Sequence, residues 1–309
     1  MRVLVAGASG AIGRRLVPAL TAAGHQVTAT TRSQRNVANL EAAGSTAVVV
    51  DGLDKVAVGE VVGRAEPDVI VHEMTAIPAA SSVRHFDRLF APTNELRTKG
   101  LDNLMSAASA AGVGRVVAQS YAGWPNVRTG GPVKTEDDPL DPDPPAEQRD
   151  SLGAIRYLED TVVTANGLAG LALRYGSLYG RGASDVFIDL IRKRQLPVIG
   201  DGAGIWSFLH VDDAASATVA AVERGTTGVY NIVDDDPAPV SEWLPAVARA
   251  VGAKRPYRIP AWLGKVAAGE VGVSMMTQIR GSSNAKAKRE LGWQPRWVSW
   301  RDGFAHGLG

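Results

Sequence analysis

The residues best suited to chemistry open the chain. Arg2–Ala6 is a short apolar run of β type, and it leads directly into Gly7-x-x-Gly10-x-x-Gly13. Glycine at the first position permits a tight turn off a strand. At the second it lets the backbone approach a ligand with no Cβ in the way, and at the third it lets a helix pack close on the strand. Ser9, Ala11 and Ile12 stand between the glycines, and a helical pattern follows over 11–23. This arrangement predicts a cradle for the pyrophosphate of a dinucleotide, held by free N–H groups at the positive end of a helix. A second signal is a missing acid. A site that prefers NAD usually carries Asp or Glu after the second strand, to accept from the ribose 2′-OH. Here the second β run, Gln26–Thr31, is followed by Arg32 and Ser33, with Arg35 close by and no carboxylate between His25 and Glu41. A guanidinium at that place suits a 2′-phosphate. Arg32 and Ser33 therefore predict NADP over NAD, with NAD kept open.

These residues need a scaffold, and the rest of the chain supplies its pattern. Runs of β type at Arg2–Ala6, Gln26–Thr31, Thr46–Asp51, Asp68–Glu73, Arg115–Ser120 and Leu168–Tyr175 alternate with helical stretches, clearest at Asn94–Ala111 and Ser151–Ala165. Such alternation predicts an α/β fold, a Rossmann-type doubly wound parallel sheet with helices on both faces. Gly130–Glu147, with five prolines among six acidic residues, reads as a surface loop. After Tyr175 the alternation weakens, and six of the seven tryptophans lie beyond it. The expected division is a dinucleotide-binding domain over 1–175 and, over 176–309, a smaller C-terminal substrate-binding lobe interleaved with it.

Composition narrows the function further. A net charge of +1 gives no bulk attraction to nucleic acid or to an anionic membrane. No apolar run reaches the length of a membrane span. There is no cysteine, and the five histidines show no metal-ligand spacing. The expectation is a cytoplasmic protein acting on a small-molecule substrate as a monomer or homodimer, with no metal, nucleic-acid or membrane partner.

The spacing Gly7-x-x-Gly10-x-x-Gly13 resembles that of the short-chain dehydrogenase/reductase superfamily, and nearly the whole chain resembles its extended, epimerase/dehydratase-like branch. Val71–Ala76 is similar to the family's fourth-strand segment, which passes under the nicotinamide ribose, and Asp51 to the aspartate that caps the adenine. The resemblance implies cofactor contacts at Asp51, Thr75, Gln119 and Tyr175 in addition to the glycine turn. Asn94 resembles the asparagine that opens the family's next helix, and His210–Ala214 and Leu291–Pro295 resemble scaffold segments. Family members also carry Tyr-x-x-x-Lys, two groups on one helix face that serve as acid and cation. With Glu159 and Leu173–Gly180 setting the register, Ser151 stands at the tyrosine position and Ile155 at the lysine position. Tyr157 falls about 200° round the helix from Ile155 and reads as packing. The chain thus resembles an atypical subgroup without that pair. Ser120, at a strand end, and Tyr121 after it become the candidate catalytic residues, and Trp206 suggests an apolar substrate wall. The expected activity is an NAD(P)-dependent oxidoreductase acting on a carbonyl or conjugated alkene of a small apolar molecule. A nucleotide-sugar epimerase or dehydratase, and a non-catalytic dinucleotide-binding regulator, stand as alternatives.

Overall fold

The alternation expected from the sequence is realised as one sheet. The computed structural model of the chain describes residues 1–77 and 83–308. Strands β1 (Arg2–Ala6), β2 (Gln26–Thr31), β3 (Thr46–Val49), β4 (Val69–His72), β5 (Arg115–Tyr121), β6 (Ala169–Tyr175) and β7 (Gly228–Ile232) lie in the order β7-β6-β5-β4-β1-β2-β3. All neighbouring pairs are parallel. The near-continuous apolar runs in β1 and β4 belong to strands covered on both faces. Helices α1 (Gly13–Ala22), α2 (Lys55–Ala65), α3 (Phe86–Glu95), α4 (Leu101–Ala110), α5 (Arg149–Val163) and α6 (Val211–Arg224) flank the sheet. Leu16, Val17 and Leu20 of α1 share a core with Ala214, Ala217 and Ala221 of α6 on one face. Val58 and Val62 of α2 and Leu104 and Ala108 of α4 fill the other, where Leu158 and Val162 of α5 also pack. The strand order reverses between β1 and β4, and that switch point opens a crevice at the strands' carboxyl ends.

Two elements differ from expectation. The stretch read as one helix over 94–111 is α3, then a π-helical turn over Leu96–Gly100, then α4. Pro92-Thr93-Asn94 looks like a helix start, because proline suits the first turn and Thr or Asn suits the cap. In the structure the helix has already begun at Phe86. The Thr93 hydroxyl accepts from the Ala76 N–H, and the Asn94 amide donates to Ser151 Oγ. The seventh strand, β7, lies beyond the expected runs. Its Gly-Val-Tyr-Asn-Ile sequence is short and mixed in strand propensity, and it is fixed by pairing with β6 and by Lys286, whose Nζ donates to the Val229 carbonyl. The chain after Tyr175 therefore contributes β7 and α6 to the sheet. The rest builds a second core around Tyr179, Phe208, Trp243, Leu244, Trp300 and Phe304.

Candidate active site

The three glycines do different work. Gly7 has φ +93°, and a Cβ there would lie 2.6 Å from the Glu73 carbonyl carbon and oxygen. A Cβ on Gly13 would lie 2.5 Å from the Ala8 oxygen. Both are closed positions that let β1, β4 and α1 approach. Gly10 is open: a Cβ there meets only the Gly7 oxygen, at 3.3 Å, and the residue is exposed. No side chain caps α1 at Ile12, and no acidic residue stands in its first turn. Ala11 and Ile12 turn their side chains onto the core, so their part in anion binding falls to the backbone. The residues fit a pyrophosphate: an uncovered helix start beneath the one glycine whose missing Cβ leaves space on the outside.

The crevice above this turn is lined by Gly7, Ser9, Gly10, Arg32, Ser33 and Arg35 on one side and by Glu73, Met74 and Thr75 on the other. Thr31 Oγ1 donates to Ser9 Oγ at 3.1 Å and accepts from the Asn36 amide, fixing the wall from which Arg32 and Ser33 project. Thr75 is thus in the wall. Asp51 is not; its neighbours Val50 and Gly52 are, while its carboxylate accepts from the Leu53 N–H in a local turn. Gln119 is half-buried on β5, outside this wall. Tyr175 requires a correction. It is buried in the α1–α6 core, and its hydroxyl contacts Glu73 Oε1 at 2.9 Å and Thr218 Oγ1 at 2.6 Å. It reaches the site only through Glu73.

Glu73 is a site residue that the sequence did not single out. It is the acid in the crevice wall, it is buried, and its Oε2 has no partner among the described residues. Burial pushes its carboxyl up to about 8, against the opposing effect of the Tyr175 hydroxyl. At neutral pH it carries a proton and does not repel a bound anion. The consequence for stability has a definite sign. The folded carboxyl titrates above the unfolded one, so between roughly pH 5 and 8 the native state holds a proton that the unfolded chain has released, and stability falls as pH rises. Glu73→Gln is expected to remove that slope. Relative to wild type it should gain on the order of 2–4 kcal/mol between pH 5 and 8, as read from denaturant midpoints at both pH values. Parallel pH dependences in the two proteins would show that Glu73 is ionised in the fold.

The end of β5 holds the two candidate catalytic residues, and the structure separates them. Successive strand residues face opposite sides. Ser120 is 1% exposed, and its hydroxyl donates to Glu159 Oε1 of α5 at 2.6 Å. Arg174 closes on the same carboxylate through Nε at 2.8 Å and Nη2 at 2.7 Å. Ser120, a candidate catalytic residue by its strand-end position, is therefore placed in a buried ion-pair network. Tyr121 does line a small cavity, with Trp124, Ser177, Trp206, Met275 and Ile279. Its hydroxyl pairs with Ser177 Oγ at 3.0 Å, and burial raises its pKa above the usual phenol value. Trp206 forms a wall of this cavity, its indole N–H donating to the Met275 carbonyl. On α5, Ser151 and Ile155 are fully buried, whereas Tyr157 is 42% exposed and donates to Asp102.

Arg97 is the second residue that the sequence did not reveal. It sits in the π turn, is 5% exposed, and its Nε has no hydrogen-bond partner among the described residues. Burial works against its charge, while Tyr121 and Glu159 favour it. An arginine in a helical pattern reads as solvated, so no sequence signal marks it.

A doubly wound parallel sheet with an open glycine cradle at its switch point defines a dinucleotide-dependent enzyme. The chain belongs to the NAD dependent epimerase/dehydratase family, whose family model matches residues 3–233. It is 44% identical over 309 residues to a 3-diazoavenalumate denitrifying reductase from a Streptomyces species, covering 98% of this chain and 99% of that protein. It is 29% identical over 276 residues to the 2-alkyl-3-oxoalkanoate reductase of Stenotrophomonas maltophilia (strain K279a), covering 82% and 77%. The solved structure of MoeE5 with UDP-glucuronic acid and NAD aligns with a TM-score of 0.75 at 26% identity, over 100% of this chain and 98% of that chain. The chain is an NAD(P)-dependent oxidoreductase of the extended short-chain dehydrogenase/reductase type, and its cofactor is a nicotinamide dinucleotide. No described helix is long and apolar enough to cross a membrane.

Proposed function

We propose that the enzyme uses NADPH to reduce a carbonyl or conjugated alkene of a small, largely apolar substrate, with Tyr121 as proton donor. The observation that carries this reading is the Tyr121 cavity. It offers one ionisable hydroxyl among Trp124, Trp206, Met275 and Ile279. When bound, the reduced nicotinamide supplies a hydride to the electrophilic atom. The residues of the chain do the rest. The turn around Gly10 holds the pyrophosphate, and the aromatic and aliphatic walls exclude water from the acceptor. The phenol, protonated because it is buried, gives its proton to the acceptor's oxygen. A second reading, in which the acceptor is a diazo group, is supported by the 44% identity to the 3-diazoavenalumate reductase along the whole chain. Loss of NADPH absorbance with aryl ketones, enones and aryl diazonium salts tests both readings. Turnover with the first two classes supports the first, and turnover with the third alone supports the second. No turnover above the blank in any class would overturn both.

The preference for NADPH is part of the proposal and rests on Arg32 and Arg35 in the crevice wall, where no ionised carboxylate opposes a 2′-phosphate. NADPH is expected to bind at least ~10-fold tighter than NADH, about 1.4 kcal/mol. Arg32→Ala should cost NADPH roughly 1.5–3 kcal/mol, the scale of one charge-assisted hydrogen bond, and leave NADH nearly unchanged. Fluorescence titration of both nucleotides reads this directly. Equal affinities in wild type, or an Arg32→Ala variant that keeps its NADPH affinity, would remove the arginine's role.

A further inference from the structure

We propose that an exposed face of the C-terminal lobe, built by residues 190–200 and 254–266, docks on a membrane surface that carries anionic phospholipids. The inference goes beyond the reductase reading and does not depend on it.

The net charge of +1 averages over an uneven distribution. Residues 190–200 carry Arg192, Lys193 and Arg194 and no acid. Residues 243–269 carry five cations and no acid, among them Lys254, Arg255, Arg258 and Lys265. Asp189 and Asp201 bound the first segment and Glu242 and Glu270 the second, and Glu242 is held by Arg301. The fold joins the two segments into one face. Val198–Ile199 pairs in parallel with Arg258–Ile259. Arg194 donates from Nε to the Arg255 carbonyl at 3.1 Å, and its guanidinium carbon lies 3.6 Å from the centre of the Tyr257 ring. The helix Ala261–Thr277 follows, and its Gly264 is pressed on the same strand pair: a Cβ there would lie 2.3 Å from Ile199 Cγ2. Of the seven cations named, all but Arg194 are exposed, and none forms an ion pair among the described residues.

The apolar part of the face selects the partner. The side of the helix opposite Gly264 presents Trp262, 70% exposed, and Val266, 64% exposed, four residues apart, with the exposed Leu263 next in sequence to Trp262. Trp262 is the one exposed tryptophan of the seven. Single apolar side chains on a surface are ordinary, whereas a cluster of them marks an interaction site. Here an indole and two aliphatic side chains share one helical turn, flanked in sequence by Arg258 and Lys265. Segments that lie in the headgroup region of a bilayer have this composition: the rings sit at the interface and the cations attract anionic lipids. Other occupants fit less well. A second copy of the chain in a two-fold contact would set the same cations against themselves. A nucleic acid would use the cations and leave Leu263 and Val266 in water. No described helix is long and apolar enough to cross a membrane, so the contact is with the surface alone. After a break at Gly269 the same segment places Met275 in the wall of the Tyr121 cavity, so the docking face and the cavity share one element.

The test uses the full chain and vesicles of phosphatidylcholine, alone or with about 30% phosphatidylserine. Co-sedimentation is expected to show at least ~10-fold tighter binding to the anionic vesicles, lost as NaCl is raised to ~1 M, where the Debye length is about 3 Å. Tryptophan emission should shift to the blue as the Trp262 ring leaves water. Lys254→Glu with Arg255→Glu is expected to weaken binding by roughly tenfold or more. Trp262→Ser with Val266→Ser should weaken it by a similar factor and abolish the blue shift. All four positions are exposed, and the melting temperature checks that each variant folds. No binding to the anionic vesicles would overturn the proposal, as would equal binding to both vesicle types or a charge-reversed variant that binds like wild type. Polyuridylate or polyglutamate that binds more tightly than the vesicles, and that still binds the Trp262→Ser, Val266→Ser variant, would assign the face to a nucleic acid or an acidic protein instead. The lipid and salt dependence of the wild type stands without any variant, so the proposal can be refuted even if a variant fails to fold.

Discussion

Gly10→Val is expected to abolish dinucleotide binding while the protein stays folded. The added side chain meets only the Gly7 oxygen within the protein, at 3.3 Å, and otherwise points into the exposed space above the start of α1. That space is where a pyrophosphate must come close to the backbone. Calorimetry with NADPH should show an affinity loss of about 100-fold or more, which is roughly 3 kcal/mol, with the melting temperature within a few degrees of wild type. The neighbouring glycines provide the contrast. Gly7→Val puts a β-branched residue at φ +93° with its Cβ 2.6 Å from the Glu73 backbone. Gly13→Val drives a Cβ to 2.5 Å from the Ala8 oxygen. Both should destabilise the fold itself by several kcal/mol, on the order of overpacking plus backbone strain. Retained NADPH binding in Gly10→Val would mean that the glycine turn is not the phosphate site. Unfolding of that variant would mean that the helix start is less open than its surroundings indicate.

The difference between these glycines is one that spacing alone does not express. All three read as parts of one motif, yet two are set by close packing between strands and helix and one by what lies outside. The same limit appears elsewhere. The sheet was legible because β1, β4, β5 and β6 are covered on both faces, and continuous apolar runs are rare in any other setting. β7 was not, because Gly228 and Asn231 dilute its pattern and its place depends on β6 and Lys286, far away in sequence. Arg32, Ser33 and Thr75 reach the crevice wall as local motif reasoning places them. Ser120 and Tyr175 do not, since a strand-end position gives the depth of a residue but not which of two faces takes its side chain. Glu73 and Arg97 escaped notice for a related reason. A charged residue is informative when it is buried without a full set of partners, and burial is a property of the assembled layers.

The remaining large effect concerns the proton. Tyr121→Phe is expected to lower turnover by roughly 10²–10⁴, the range for loss of a general acid, with NADPH affinity unchanged. The substitution removes one hydroxyl and keeps the ring that packs 6.3 Å from Trp124, so the cavity wall stands and only the Ser177 pairing is lost. Tyr157→Phe is the matched control. Its hydroxyl, on the exposed side of α5, donates to Asp102 of α4, the residue does not line the cavity, and its removal should leave turnover within about twofold, as for other exposed hydrogen bonds of small net worth. Steady-state kinetics with any acceptor that the wild type reduces separates the outcomes. Full activity in Tyr121→Phe would place the proton source in solvent and remove the phenol from the chemistry. Loss of activity in Tyr157→Phe alone would mean that α5 turns its exposed face toward the substrate. A fall confined to Tyr121→Phe would show that an acid carried at the end of β5 does the work for which α5, with Ser151 and Ile155 buried, has no group to offer.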